Sequence, residues 1–146
     1  MIFSADDLPD AVMFCCTMNS IRSPMAEGLM KMVHGTNIYV DSVGAREGEL
    51  DGLMVEAMSE FDIDMSKHRA KTFDELEDTY FDLIVALSPE AQHHAVELTR
   101  TMACDVVFWN TFDPSIIEGS RDQRLDAYRQ VRDQLYQRIL KSFPVE

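Results

Sequence analysis

Leu83-Ile84-Val85-Ala86-Leu87 is an unbroken apolar run, and it constrains the chain more than any other stretch. A strand that is apolar on both faces needs cover on both faces, which is the situation of a parallel sheet with helices above and below it. Val12-Met13-Phe14-Cys15 reads as another buried strand, and Ile38-Tyr39-Val40 and Val106-Val107-Phe108-Trp109 supply two more. Helical spacing separates them. Ser23-Pro24 opens one helix, with serine as its cap and proline in its first turn, followed by Met25, Leu29, Met32 and Val33. Leu53, Met54, Ala57, Met58 and Phe61 mark a second, and Ser88-Pro89 starts a third that runs to about Met102. Ser120 and Gln123 form a capping-box pattern ahead of Leu125, Tyr128, Val131, Leu135 and Ile139, the stripe of a long last helix. The alternation predicts one three-layer α/β domain: a four-stranded parallel sheet with helices on both faces.

With 146 residues the chain fits one domain, and no repeat, linker or low-complexity tract divides it. Residues 1–10 carry three aspartates and no Lys or Arg, so they read as a flexible, solvated lead-in rather than a signal peptide, leaving 11–146 as the domain. No apolar stretch approaches the roughly 18 residues of a membrane span, so no membrane partner is expected and the protein reads as cytoplasmic. The formal net charge is −13, from 26 acidic and 13 basic residues. Such a surface repels nucleic-acid phosphates, which argues against a nucleic-acid partner. Any anion site must therefore be made locally, against the overall field. Three cysteines make no disulfide framework, and without a CxxC pair or HExxH no metal or cofactor is expected.

In parallel sheets, ligands bind beyond the carboxyl ends of the strands. Residues 16–22 of "CCTMNSIRSP" form such a strand-to-helix turn, and Asp113-Pro114, after the fourth strand, falls at the same edge. A helix start offers free N–H groups and partial positive charge to an oxyanion, and Arg22 adds a fork of donors that matches a tetrahedral anion. The same field favours a thiolate, the nucleophilic form of cysteine. Only Cys16 has an arginine six positions later. Because successive strand side chains face opposite ways, Cys16 goes to the loop and Cys15 to the core. Read from the residues alone, Asn19 is a turn residue tolerant of left-handed backbone, and Asp113 before proline is turn chemistry. By the same reading His68, between Lys67 and Arg69, is a solvated histidine, as are His93 and His94. Asp74, Glu75, Glu77 and Asp78 read as a solvated acidic face.

The stretch "VMFCCTMNSIRSPMAEG" resembles the phosphate-binding loop of the low-molecular-weight protein tyrosine phosphatases and the related thiol-dependent arsenate reductases. The likeness continues, in order, through "DSVG" at 41–44, "MSKHRAK" at 65–71, "FDLIVALS" at 81–88 and "FDP" at 112–114. The resemblance implies Cys16 as nucleophile, Arg22 as oxyanion clamp and Asp113 as the general acid that then serves as base. It implies that Thr17, Met18, Asn19, Ser20, Ile21 and Ser23 wrap the substrate's oxyanion, with Ser23 donating to the Cys16 thiolate. Ser42 and His68 would support Asn19. The implied activity is hydrolysis of phosphomonoesters, of the phosphotyrosine type, through a phosphocysteine without metal. Phosphoproteins or small phosphate esters are the implied substrates. The alternatives are arsenate reduction with an external small thiol, and an oxyanion-binding module with little turnover.

The sequence also departs from that pattern. Met18 stands where such phosphatases usually have glycine, so it must either point outward or take a backbone angle that glycine accepts more easily. Ser115 and Ile116 replace the two tyrosines that often follow Asp-Pro, and no aromatic residue lies between Val43 and Met54. The walls that stack on a phosphotyrosine ring are therefore thin. For a reductase, Ile21 stands where many relatives have a cysteine, and Cys104 has no evident partner for a disulfide relay.

Overall fold

A computed structural model describes residues 3–76 and 80–145. Four strands alternate with helices as expected: β1 (Ala11–Cys16), α1 (Arg22–His34), β2 (Tyr39–Gly44), α2 (Gly52–Ser59), β3 (Leu83–Ala86), α3 (Pro89–Leu98), β4 (Asp105–Phe108) and α4 (Arg121–Ser142). The strands form one sheet in the order β2-β1-β3-β4, and every pairing is parallel. The chain steps from β1 outward to β2, then crosses back to β3 and β4. Connections leaving β1 and β3 diverge at that reversal, which opens a crevice at the carboxyl end of β1.

Alternation along β1 divides the core. Val12, Phe14 and Cys16 face the layer of α1, α2 and α4, while Ala11, Met13 and Cys15 face the smaller layer of α3. The first layer is closed by Trp109, whose ring lies 6.1 Å from both Phe14 and Phe143. Burying each such large apolar side chain is worth about 1.5–3 kcal/mol relative to leaving it in water. Helices therefore cover both faces, unevenly.

Two details of the helix ends differ from expectation. Ser23 does not cap α1; Ile21 occupies that position without a side-chain bond, and Ser23 lies inside the first turn. Its hydroxyl is drawn instead to the sulfur of Cys16. Helix α3 stops at Leu98 rather than near Met102, although Ser88 caps it as foreseen by accepting from the Ala91 amide. The Ser120–Gln123 capping box is present in full. Residues 3–10 make several contacts with the domain: Phe3 stacks on Phe143 at 5.5 Å, and Asp82 accepts from the amides of Asp10 and Ala11. Among the described residues, no helix is long and apolar enough to cross a membrane.

Candidate active site

The turn after β1 is shaped from behind. Its carbonyls are engaged: Cys16 O and Thr17 O accept from the amides of Ala45 and Arg46, and Asn19 O is 2.9 Å from His68 Nε2. Among the described residues, nothing in the protein bonds the backbone N–H groups of Met18, Asn19, Ser20 and Ile21. A loop with occupied carbonyls and free amides at a helix start is suited to an oxyanion. Asn19 carries the bend with φ +54°, the left-handed region that asparagine tolerates. Gly44 lets the neighbouring strand end approach, since a Cβ there would lie 2.7 Å from the Asn19 nitrogen. Larger residues at position 44 would push the loop open.

Fully buried polar groups fix the centre of the turn. Asn19 Nδ2 donates to Ser23 Oγ at 2.8 Å and to Ser42 Oγ at 2.9 Å, and its Oδ1 accepts from the Lys71 amide at 3.0 Å. Ser23 Oγ lies 2.9 Å from Cys16 Sγ. Thus Ser42 and His68 sit where support for Asn19 was expected, and His68 is half-buried rather than a solvated surface group. His93 and His94 are exposed, with His94 stacked on Phe73 at 5.4 Å. Asp74 and Glu75 are exposed too; Glu77 and Asp78 lie outside the described residues.

In front of the turn lies a cleft of about 720 Å³, lined by the loop, by residues 47–51 and by Asp113 with Ser115. Cys16, Arg22 and Asp113 all reach it, although they come from three separate elements. The guanidinium of Arg22 is oriented by two acceptors, Thr111 O at 3.0 Å and Thr17 Oγ1 at 3.3 Å. Thr17 in turn donates to the α3 cap, Ser88. Asp113 Oδ1 accepts from the backbone and hydroxyl of Ser115, which caps a short 3-10 turn, Pro114–Ile116. The turn reading of Asp113 is therefore correct as far as it goes, and the same residue faces the cleft. Met18 resolves its alternatives by pointing outward: it is 39% exposed, lines the cleft and has no left-handed backbone.

The three sulfurs differ in surroundings. Burial pushes the Cys15 thiol well above its ordinary range, with Cys16 next door adding to the effect. Cys104, packed beside the α3 layer, is also raised, by burial and then by Asp105. Neither lines the cleft. Among the described residues, no cluster of His, Cys, Asp or Glu is arranged to hold a metal ion.

Several residues at or behind the site carried no sequence expectation. Glu27 accepts from Ser42 Oγ at 2.5 Å. Asp51 caps α2, accepts from the Tyr128 hydroxyl at 3.0 Å and lines the cleft; burial and then Asp51 raise the Tyr128 phenol strongly. The spacing of Ser23, Glu27 and Lys31, four apart on one helix, was the available signal for Glu27.

A strand-to-helix turn with free amides, a buried cysteine, an arginine at the helix start and an aspartate across the cleft thus meet at the carboxyl edge of an α/β sheet. The model of the low molecular weight phosphotyrosine protein phosphatases matches residues 11–143, and the chain belongs to that family. An arsenate reductase of Halalkalibacterium halodurans is 33% identical over 130 residues, which are 88% of this chain and 91% of the relative. Among solved structures, the low molecular weight protein tyrosine phosphatase of T. tengcongensis superposes with a TM-score of 0.74 at 26% identity, covering 90% of this chain and 96% of the other. A mutant of the YwlE arginine phosphatase with a phosphorylated active-site serine superposes with a TM-score of 0.66 at 26% identity, covering 87% and 89%.

Proposed function

We propose that this protein is a phosphomonoesterase that works through a phosphocysteine. The observation that carries the reading is the convergence of Cys16, Arg22 and Asp113 on one cleft. Cys16 Sγ attacks phosphorus in line with the ester oxygen, which departs with a proton from Asp113. The loop amides and Arg22 hold the three equatorial oxygens as their charge shifts in the transition state. Water then attacks the phosphocysteine, Asp113 takes its proton, and phosphate leaves with the thiolate restored. Ser23 donates to that thiolate throughout. A substrate with an aryl or small alkyl leaving group fits a mouth without aromatic walls, whether on a phosphoprotein or a free phosphate ester. A free thiolate suits a reducing compartment, which supports a cytoplasmic setting.

The test is turnover of p-nitrophenyl phosphate. Cys16→Ser is expected to remove it, by about 10⁴-fold or more, while phosphate or vanadate still binds. Turnover near that of the wild type in this variant would refute the assignment.

Similarity to proteins named arsenate reductases supports a second reading. Cys16 would attack arsenic, and an external thiol would attack the sulfur of the adduct. Arsenic would take two electrons and leave as arsenite, the two sulfurs would join as a mixed disulfide, and a second thiol would release Cys16. The external thiol is required because Cys15 faces the opposite layer and Cys104 does not reach the cleft. Arsenate-dependent oxidation of glutathione, mycothiol or thioredoxin would support this reading; its absence with all three would remove it.

A further inference from the structure

We infer that the mouth of the catalytic cleft selects phosphate esters that carry a positive charge beside the phosphate, and that Glu47, Glu49 and Asp51 are the residues that read this charge. The inference deepens the proposed function and rests on it for the turnover readout. Two independent features point to such a ligand. One is the seat for the anion: the buried Cys16 faces the cleft, and among the described residues nothing in the protein bonds the amides of Met18, Asn19, Ser20 and Ile21. The other is a wall of opposite sign. Glu47, Glu49, Asp51 and Asp113 line the same cleft, and among the described residues Arg22 is the one cation there. Arg22 stands at the helix start beside the loop amides, so its charge serves the phosphoryl oxygens. Asp113 carries the proton for the leaving oxygen in the proposed reaction. Glu47, Glu49 and Asp51 then face the leaving group with no cation of the cleft left to balance them.

The glutamates are solvated, but the backbone that carries them is anchored to the anion loop. The amides of Ala45 and Arg46 donate to Cys16 O and Thr17 O. Gly48 then packs so closely that a Cβ there would lie 2.5 Å from Met18 O and 2.3 Å from Ser20 Oγ. Asp51 is held at both oxygens, Oδ1 by the Met54 amide and Oδ2 by the hydroxyl of the buried Tyr128, each at 3.0 Å. The neighbouring cations are engaged or placed elsewhere. Arg46 turns to Glu90 at 2.9 Å, and neither it nor Arg124, which acts on the Tyr128 phenol, lines the cleft. A phosphate ester with a neutral leaving group gains nothing from this wall, and an acidic neighbour is repelled by it. A lysine, an arginine or a quaternary ammonium in the same place is attracted. Such a wall recognises charge rather than shape, because the exposed apolar side chains of the cleft are only Met18 and Leu50.

The test uses two phosphotyrosine peptides of equal length, flanked by lysine in one and by glutamate in the other, so that the leaving group stays constant. At low ionic strength kcat/KM should be about tenfold higher for the lysine peptide, and the ratio should shrink to under about twofold near 0.5 M salt. Glu47→Gln/Glu49→Gln should cut the ratio about threefold or more, slowing the lysine peptide and speeding the glutamate one. Adding Asp51→Asn, which can still cap α2, should cut it further. Asp6→Asn/Asp7→Asn removes the same charge ahead of β1, at the opposite edge of the sheet, and should leave the ratio nearly unchanged. Equal rates for the two peptides, or an undiminished ratio in Glu47→Gln/Glu49→Gln, would overturn the inference. An equal loss in Asp6→Asn/Asp7→Asn would overturn it too, by assigning the preference to the overall charge of −13. Phosphocholine and its uncharged carbon isostere, dimethylbutyl phosphate, compared as competitors of p-nitrophenyl phosphate, identify the source of the charge. A preference for phosphocholine as large as that for the lysine peptide supports a small amine ester, and a preference confined to the peptides supports a protein segment. Absence of turnover in the wild type would count against the proposed activity. The affinities of Cys16→Ser for the same two peptides, read by fluorescence anisotropy, would still decide whether the mouth reads charge.

Discussion

The floor and the mouth of the cleft are built by opposite means. On the floor, Asn19, Ser23 and Ser42 are wholly buried and every buried side-chain polar atom among the described residues has a partner. At the mouth, Met18 and Leu50 are exposed, and Glu47 and Glu49 make no hydrogen bond or ion pair among the described residues. A misplaced proton on the floor leaves a buried group unsatisfied, costing about 1–3 kcal/mol, whereas a changed side chain at the mouth only exchanges one solvated group for another. The floor of the cleft is therefore tightly specified, and its mouth is not. Four carboxylates, Glu47, Glu49, Asp51 and Asp113, share that mouth with a single cation, Arg22. An oxyanion entering this mouth would meet that field.

The contrast can be broken first at the floor. Asn19→Ala removes three side-chain hydrogen bonds and places alanine at φ +54°, so aryl phosphate kcat should fall by about 10²-fold or more, with a clear loss of thermal stability. Wild-type kcat in a folded Asn19→Ala protein would mean that the turn holds itself without its buried network.

A smaller effect is expected at the mouth. Glu47→Gln/Glu49→Gln should lower KM for p-nitrophenyl phosphate about two- to threefold at low ionic strength, with kcat unchanged, and the difference should vanish near 0.5 M salt as screening shortens. A large change in kcat would show that these carboxylates belong to the chemistry instead.

The smallest expected effect lies away from the cleft, where Glu60 holds α2 to α4. Hydrogen bonds from Arg129 and then Arg132 lower its carboxyl to about 2. That lies below the unfolded value of about 4.3, so the ion cluster adds stability above pH ~4.3 and loses it as the pH falls through about 2. Glu60 is solvent-exposed enough that the contribution is under about 1 kcal/mol. Glu60→Gln should therefore lower the melting temperature slightly at pH 7 and converge with the wild type near pH 2, with kcat unaffected. Equal differences at both pH values would place the effect in packing rather than charge.

How far the site could be foreseen differs residue by residue. Cys16 is legible because the alternation of a strand sends it to one face and Cys15 to the other, and Arg22 follows at a spacing that suits one turn. For Ser23 the local Ser-Pro pattern points to a cap and the family resemblance to a donor for Cys16; the hydroxyl lies against Cys16 Sγ and Asn19 Nδ2, and Ile21 holds the cap position. The two cations beside His68 suggest a solvated ring and the family resemblance a support for Asn19; its ring meets Asn19 O from a segment far along the chain. Glu27 was invisible because its meaning depends on Ser42, which β2 brings alongside α1.

The sequence alone settled the parallel four-stranded sheet, the strand that carries Cys16, and the helix start that follows it, because each follows from side-chain periodicity or from neighbours a few residues apart. Only the tertiary structure decided which carboxylate stands behind Ser42 and how acidic the mouth is. Those outcomes depend on which distant segments exclude water from the same small volume, and no local pattern records that.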